Sequence, residues 1–324
     1  MKVLVTGGAG YIGSVVANQL LEAGHETIVL DDLSKGHAGA LPEGTRLVRG
    51  NLLDAELVEN TLFEGFDGVL HFAALSLVGE SVDEPERYYR NNVCGTLNLL
   101  EAMRESGAAK LVFSSTAAVY GEPEEVPIRE KAPALPTNPY GDSKLAVDRL
   151  IGAVAVARGL AATSLRYFNV AGASGRFGED HHPETHLIPL ILRAAAEGSP
   201  VEIFGTDYPT RDGTAVRDYI HVEDLGHAHL LALEAAEPGE HRVYNLGNGA
   251  GFSVREVVEA ARNVTGREIE AVESPRRAGD PPDLVASSDR IRADLGWKPE
   301  KPQLEAMISD AWTWMQAYPH GYAE

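Results

Sequence analysis

Cysteine is almost absent from this chain: Cys94 is the only one in 324 residues. No internal disulfide and no multi-cysteine zinc site can form, which fits a reducing, cytoplasmic setting. Long apolar runs are missing too, and none approaches the roughly 18–20 residues of a membrane span. The opening residues, Met1-Lys2-Val3-Leu4-Val5-Thr6, run straight into a predicted strand and a glycine loop, so no signal peptide is expected. Positive charge is scarce: 28 Lys+Arg stand against 48 Asp+Glu, a net charge of −20. Such a surface repels phosphate backbones and anionic lipid, which disfavours nucleic acid and membranes as main partners. An anionic small molecule would need a local cluster of Arg or backbone N–H groups.

What is present points to a globular protein. With 44% apolar and 23% charged residues the chain can build a sizeable core. At roughly 150 residues per domain its length suggests two. The first half alternates β-rich runs with helical patterns. Strands are predicted at Lys2–Thr6, Thr27–Asp31, Arg46–Gly50, Gly68–Ala73, Lys110–Ser115 and Thr163–Asn169. Helices are predicted at Ser14–Ala23, Ala55–Phe63, Glu84–Glu105 and Gly141–Arg158. Near-continuous apolar strands separated by helices read as a doubly wound α/β fold with a parallel sheet. The sequence predicts this domain over residues 1–170 and a smaller α+β substrate lobe over 171–324, with one or two segments of the second crossing back. In that lobe helices are expected near 187–197, 223–236, 253–265 and 303–317. Strands are expected at Val201–Phe204, Val216–Val222 and Arg242–Leu246.

Thr6-Gly7-Gly8-Ala9-Gly10-Tyr11-Ile12-Gly13 lies between the first strand and first helix. Its glycines allow a tight turn, close approach of backbone to a pyrophosphate, and close helix–strand packing, while the helix N-terminus adds positive potential. The second strand ends at Asp31, where a carboxylate accepts hydrogen bonds from ribose hydroxyls and repels a 2′-phosphate. The expected cofactor is therefore NAD rather than NADP. Asp32 follows directly. Tyr140 and Lys144 are four residues apart, on one face of a helix. A lysine ammonium, with the positive ring of NAD⁺, would stabilise a phenolate and make tyrosine a usable base. Ser114-Ser115-Thr116 ends the fifth strand, at the sheet edge where such folds bind ligands.

These residues resemble the extended short-chain dehydrogenase/reductases, of Rossmann-type fold. The likeness covers nearly the whole chain. It rests on the glycine loop, His71-Phe72-Ala73-Ala74, Asn91-Asn92-Val93, Ser114–Gly121, Pro139–Lys144 and Leu165–Asn169. The more specific segments, Ile203–Thr214 and Val216–Val222, resemble the nucleotide-sugar epimerase group of that family. The resemblance implies an NAD-dependent isomerase that interconverts UDP-galactose and UDP-glucose through a 4-keto intermediate, with Tyr140, Lys144 and Thr116 catalytic. It implies that NAD stays bound and meets Gly7, Gly10, Tyr11, Ile12, Gly13, Asp31, Asp32, Asn51, Leu52, Phe72, Ala73, Ala74, Asn92, Thr116, Tyr140, Lys144 and Phe168. The UDP-sugar would meet Asn169, His186, Leu187, Phe204, Arg217, Tyr219, Arg277, Asp280 and Leu284. Arg217 and Arg277 would pair with the diphosphate, with Arg276 as an alternative to Arg277. Many bacterial members carry tyrosine where this chain has Leu284. The smaller side chain predicts activity on UDP-N-acetylglucosamine and UDP-N-acetylgalactosamine too. The family's dimers imply a homodimer through the helices at 84–105 and 141–158.

Two other readings fare worse. A sugar-nucleotide dehydratase needs an acid beside the strand-end hydroxyl, whereas Ala117 and Ala118 follow Thr116. A non-catalytic NAD sensor has no need of Thr116, Tyr140 and Lys144 together. His181, His182 and His186 cluster in a loop read as lacking carboxylates at ligand geometry, so no metal is expected. Cys94 is expected to be buried as a small apolar residue, and Trp312 and Trp314 to pack the last helix onto the second lobe.

Overall fold

The protein is described as a computed structural model over residues 1–277 and 280–323. Six strands open the chain: β1 (Lys2–Thr6), β2 (Glu26–Asp31), β3 (Arg46–Arg49), β4 (Gly68–His71), β5 (Lys110–Thr116) and β6 (Ala161–Tyr167). Between them run α1 (Tyr11–Glu22), α2 (Ala55–Leu62), α3 (Val78–Asp83), α4 (Pro85–Tyr88), α5 (Gly95–Ser106) and α6 (Pro139–Arg158). The second half adds β7 (Asn169–Ala171), α7 (Leu187–Glu197), β8 (Val201–Phe204), β9 (Val216–Arg217), β10 (Tyr219–His221) and α8 (Val222–Glu234). It ends with β11 (His241–Leu246), β12 (Phe252–Ser253), α9 (Val254–Thr265), β13 (Ala271–Ser274), β14 (Asp283–Leu284), α10 (Asp289–Leu295) and α11 (Leu304–Ala317).

The main sheet has seven strands in the order β11-β6-β5-β4-β1-β2-β3, and every pair in it is parallel. Chain order reverses between β1 and β4, which opens a crevice at their carboxyl ends. Alternate residues of each strand feed two cores. On one face Leu4, Val69, Leu111 and Phe113 pack against Val58, Leu99, Met103 and Ile151 from α2, α5 and α6. On the other, Val3, Val5, Leu70 and Val112 meet Val16 and Leu20 of α1 and Leu225 and Leu233 of α8. A third core joins α7, α9 and α11 through Ile191, Val257 and Ile308, with Val201 of β8. Trp314 is buried beside Tyr322 and Ala173, and Trp312 packs partly buried against the third core.

Three local expectations are corrected. The helix read over 84–105 is interrupted: a π-turn spans Tyr89–Cys94 between α4 and α5. Its wider turn breaks the 3.6-residue period, and Cys94 is exposed rather than buried. The strand read over 216–222 is two strands broken at Asp218, a fully buried carboxylate. Its oxygens accept the backbone N–H of Asn248, Gly249 and Ala286, so the two halves take different partners. Finally, the short elements α3, α10, β12, β13 and β14 were not legible in the sequence.

Candidate active site

A cleft of about 1360 Å³ opens at the carboxyl ends of the sheet and runs on to Arg217, Arg277 and Leu284 of the chain's second half. It exceeds the roughly 300–1,000 Å³ of a single-ligand pocket, so it has room for two ligands at once. Its floor is the glycine loop. Gly7 has φ +73°, and a Cβ there would lie 2.6 Å from the Ala73 nitrogen. A Cβ on Gly13 would stand 2.2 Å from the Gly7 carbonyl oxygen, so both positions require glycine. Asp31 holds the loop from below: its carboxylate accepts N–H bonds from Ala9 at 3.0 Å and Leu33 at 2.8 Å. Burial, the largest influence, raises its pKa against those bonds. Asn51 donates to Asp32 at 2.5 Å and accepts the Leu53 N–H at 2.9 Å, so one oxygen lone pair is already engaged. The backbone cradle, a buried carboxylate at the end of β2 and the width of the cleft together fit a dinucleotide.

Helix α6 brings in the predicted base. Asn138 caps it by accepting the Gly141 N–H at 2.9 Å, and Pro139 occupies the first turn. Tyr140 and Lys144 then line the cleft with Thr116, the last residue of β5. The Thr116 hydroxyl oxygen accepts the Ala118 N–H at 3.1 Å, which leaves its hydrogen free to point toward the nearby Tyr140. Burial raises the Tyr140 pKa above 10, and the Thr116 bond only partly offsets it. Lys144 is 3% exposed, donates to the Ser114 carbonyl at 2.8 Å and sits 4.8 Å from the Phe113 ring centroid. Burial lowers its pKa to about 7, opposed by Asp148. The expected depression of the tyrosine by the lysine is therefore absent from the protein alone.

The rest of α6 is anchored by a buried ion pair. Asp148 Oδ2 accepts from Arg166 Nε at 2.9 Å and Nη2 at 2.8 Å, and from Ser115 at 3.2 Å. Arg166 in turn donates to the Tyr120 hydroxyl, which donates to Asn245 of β11. The helix that carries Tyr140 is thus fixed to three strands.

Most predicted residues reach the cleft: Gly7, Gly10, Tyr11, Ile12, Gly13, Asp31, Asp32, Asn51, Leu52, Phe72, Ala73, Ala74 and Phe168 line it. So do Asn169, His186, Arg217, Arg277, Asp280 and Leu284. Four residues do not line it. Asn92 is 2% exposed and bonds Leu75 and Ser143, so it braces the wall, while neighbouring Asn91 faces the cleft. Leu187 turns into the third core, and Leu190, nearly one turn on, lines the cleft. Tyr219 is buried in that same core. Phe204 lies under Arg277, whose guanidinium is 3.9 Å from its ring centroid. Arg276 instead bonds Asp207 and stacks on Tyr208 at 4.1 Å, so Arg277 is the one on the cleft wall. Arg217 pairs with Asp280.

Several lining residues were missed. Tyr167 hydrogen-bonds the Ser114 hydroxyl, and its own pKa is raised by burial. Its signal was present in Leu165–Asn169, where only Phe168 and Asn169 were given roles. Lys35 donates to the His182 carbonyl at 3.1 Å, closing one rim. The reading of the histidine loop is corrected. Glu179 and Glu184 fold against His181 and His186, with His181 Nδ1 3.1 Å from a Glu179 oxygen and His186 Nδ1 2.5 Å from the same one. Burial opposes ionisation of both partners, yet Glu179 is held down at about 2 and His186 pushed up to about 10 by their mutual attraction. The alternation of Glu and His from 179 to 186 was the available signal.

The fold and cleft define a dinucleotide-binding enzyme with a second ligand site, and comparison with known proteins agrees. The chain belongs to the NAD dependent epimerase/dehydratase family, whose sequence model matches residues 3–247. It is 56% identical over 319 residues to the UDP-glucose 4-epimerase of Corynebacterium glutamicum, covering 98% of this chain and 96% of that one. It is also 56% identical over 325 residues to the UDP-glucose 4-epimerase of Streptomyces lividans, covering 99% and 98%. Among solved structures, the Bifidobacterium longum UDP-glucose 4-epimerase in complex with NAD⁺ and UDP matches with TM-score 0.94 at 37% identity, over 99% and 100% of the chains.

Proposed function

We infer that this protein is a UDP-glucose 4-epimerase: an NAD-dependent isomerase that interconverts UDP-galactose and UDP-glucose through a 4-keto sugar. One observation carries the reading. A single cleft joins the glycine cradle, Thr116, Tyr140 and Lys144 to Arg217, Arg277 and Leu284. The glycine cradle, Asp31 and Lys144 would hold NAD, which when bound would supply the hydride acceptor and donor for C4 and the positive charge of its oxidised ring. Tyr140 takes the proton of the sugar 4-hydroxyl and gives it back after the keto sugar has turned over. Thr116 orients that proton by donating to the Tyr140 oxygen. Lys144, fixed on the Ser114 carbonyl, holds cofactor ribose and supplies charge when protonated. Arg217 and Arg277 pair with the diphosphate. The enclosed wall keeps water from the keto intermediate.

The test is a proton NMR time course on UDP-galactose with purified protein and no added NAD. Conversion to UDP-glucose supports the reading. No conversion, even with NAD supplied, overturns it.

Leu284 lines the cleft and packs with Ala117 and Phe168, and its size supports a second substrate pair, UDP-N-acetylglucosamine and UDP-N-acetylgalactosamine. A homodimer through the α3–α6 region is supported by exposed apolar side chains there: Val78, Val82, Tyr89, Leu97 and Val156. Among the described residues no helix is long and apolar enough to cross a membrane. The single cysteine supports a cytoplasmic setting.

A further inference from the structure

The loop between β7 and α7 gathers four ligand-type side chains, Glu179, His181, Glu184 and His186, whose donor atoms all lie within 4.8 Å of one another. Tetrahedral ligands at roughly 2.1 Å from an ion stand about 3.4 Å apart. His186 Nδ1 is already 3.4 Å from a Glu184 oxygen, and His181 Nδ1 is 3.1 Å from Glu179. To meet that spacing the widest separation has to close by about 1.4 Å, and the 2.5 Å between His186 Nδ1 and Glu179 has to open by about 0.9 Å.

The carboxylates are the telling part. Glu179 and Glu184 side chains are 7% and 2% exposed. Among the described residues, their ion-pair partners are only His181 and His186. Two buried carboxylates at one point demand positive charge, and among the described residues imidazoles rather than Lys or Arg stand beside them. Glu184 is further oriented by the backbone N–H groups of Thr185 at 2.7 Å and His186 at 2.8 Å, the kind of outer-shell support that fixes a metal ligand. Two imidazoles and two carboxylates are too nitrogen-rich and too few for Ca²⁺ or Mg²⁺, and suit a borderline ion in fourfold geometry.

We propose that Glu179, His181, Glu184 and His186 bind one divalent transition-metal ion, with Zn²⁺ the best chemical match. Four protein ligands leave no open position, so the ion is structural. It clamps the loop after β7 to the start of α7, on the wall of the cleft that all four residues line. The neighbouring His182 is no part of the site: it is 76% exposed and turned to Asp180 at 3.3 Å.

The experiment uses untagged protein with its nucleotide retained, stripped with a chelator, dialysed and titrated calorimetrically with ZnCl₂ at neutral pH. One Zn²⁺ should bind per chain. His181→Ala and His186→Ala should each weaken it by at least about tenfold, whereas His182→Ala should not. Both ligand histidines are partly exposed, so their truncation spares the core. Zn²⁺ should also raise the melting temperature of the wild type but not of Glu184→Gln. Absence of stoichiometric uptake by the wild type overturns the proposal and leaves imidazolium–carboxylate pairs as the occupants. Uptake unchanged in the His181→Ala/His186→Ala double variant overturns it as well. Because the readout is metal uptake, the result is independent of whether UDP-galactose is turned over.

Discussion

Lys144 is an amine whose pKa burial brings down to about 7, and Tyr140 a phenol held above its ordinary pKa, so the phenol is not poised to act as a base in the protein alone. Positive charge arriving with an oxidised cofactor would lower the tyrosine's pKa and so couple its ionisation to the cofactor's redox state. Removing the phenol should therefore remove chemistry and not binding. Tyr140→Phe is expected to lower kcat by about 10²–10⁴-fold. NAD content, read from nucleotide released on denaturation, should stay near one per chain; loss of NAD with activity would assign Tyr140 a binding role instead. In the cluster it shares with Ala117 and Phe168, close to Thr116, Leu284 is the residue to enlarge. Leu284→Tyr should cut kcat/KM for UDP-N-acetylgalactosamine at least tenfold and leave UDP-galactose within about twofold, in line with the cost of a steric misfit. Equal loss on both substrates refutes the assignment. At this scale the sequence was most readable where spacing is tied to one geometry, as with Gly7 to Gly13 or Tyr140 to Lys144. It was least readable where one residue's neighbour decides its direction. Arg276 stacks on Tyr208 and pairs with Asp207 while Arg277 stacks on Phe204 and faces the cleft, and Leu187 and Leu190 differ only in their position around one helix.

Among elements, α6 matters most, because its first turn carries the chemistry and its middle carries Asp148. The Asp148–Arg166 pair is buried at both ends and tied to Ser115 and Tyr120. Breaking one side of such a pair leaves a buried charge, at a cost of about 3–5 kcal/mol. Asp148→Ala should thus lower the unfolding free energy of the whole chain by that amount in an equilibrium urea titration. A cost below about 1 kcal/mol would mean that the pair is not a determinant of stability. The strands and helices of the main sheet were legible because apolar runs of fixed length recur between glycine-rich breaks. The π-turn at Tyr89–Cys94 was not, since a helical period read across it points Cys94 inward. The break at Asp218 was hidden for a related reason. Its partners, Asn248, Gly249 and Ala286, come from distant loops that no local pattern reveals.

For the molecule as a whole, acid is the expected weakness. His71 and His229 are buried as neutral rings, their pKa values depressed by burial to about 3 and about 4 from 6.5. Between those values and 6.5 the unfolded chain binds protons that the folded one refuses, so stability falls as pH is lowered through that window. Asp218, raised to about 6 by burial, acts in the opposite sense above 3.8. The melting temperature should still fall from pH 7 to pH 5, and His229→Phe should shrink the difference; an unchanged difference would exonerate His229. Assembly belongs to this scale too. The exposed apolar stripe of α3, α5 and α6 should pair two copies, giving twice the chain mass of 34.8 kDa in sedimentation at micromolar concentration. Val82→Glu/Val156→Glu should then yield monomers; a monomeric wild type would refute this. The parallel α/β plan was legible from alternating strands and helices, while the addition of β11 to the main sheet depends on a contact between distant parts of the chain.

That added strand has a consequence for the chain during its synthesis. Strand β6 ends at Tyr167 and its partner β11 starts at His241, 74 residues later. At about 5–20 residues per second the ribosome takes roughly 4–15 s to make that stretch. Throughout it the nascent protein presents an open row of backbone donors and acceptors along β6, a template for pairing with a neighbour on the same polysome. Slow translation between residues 167 and 246 would lengthen that exposure, and the yield of this protein would fall with no change in the stability of the finished fold.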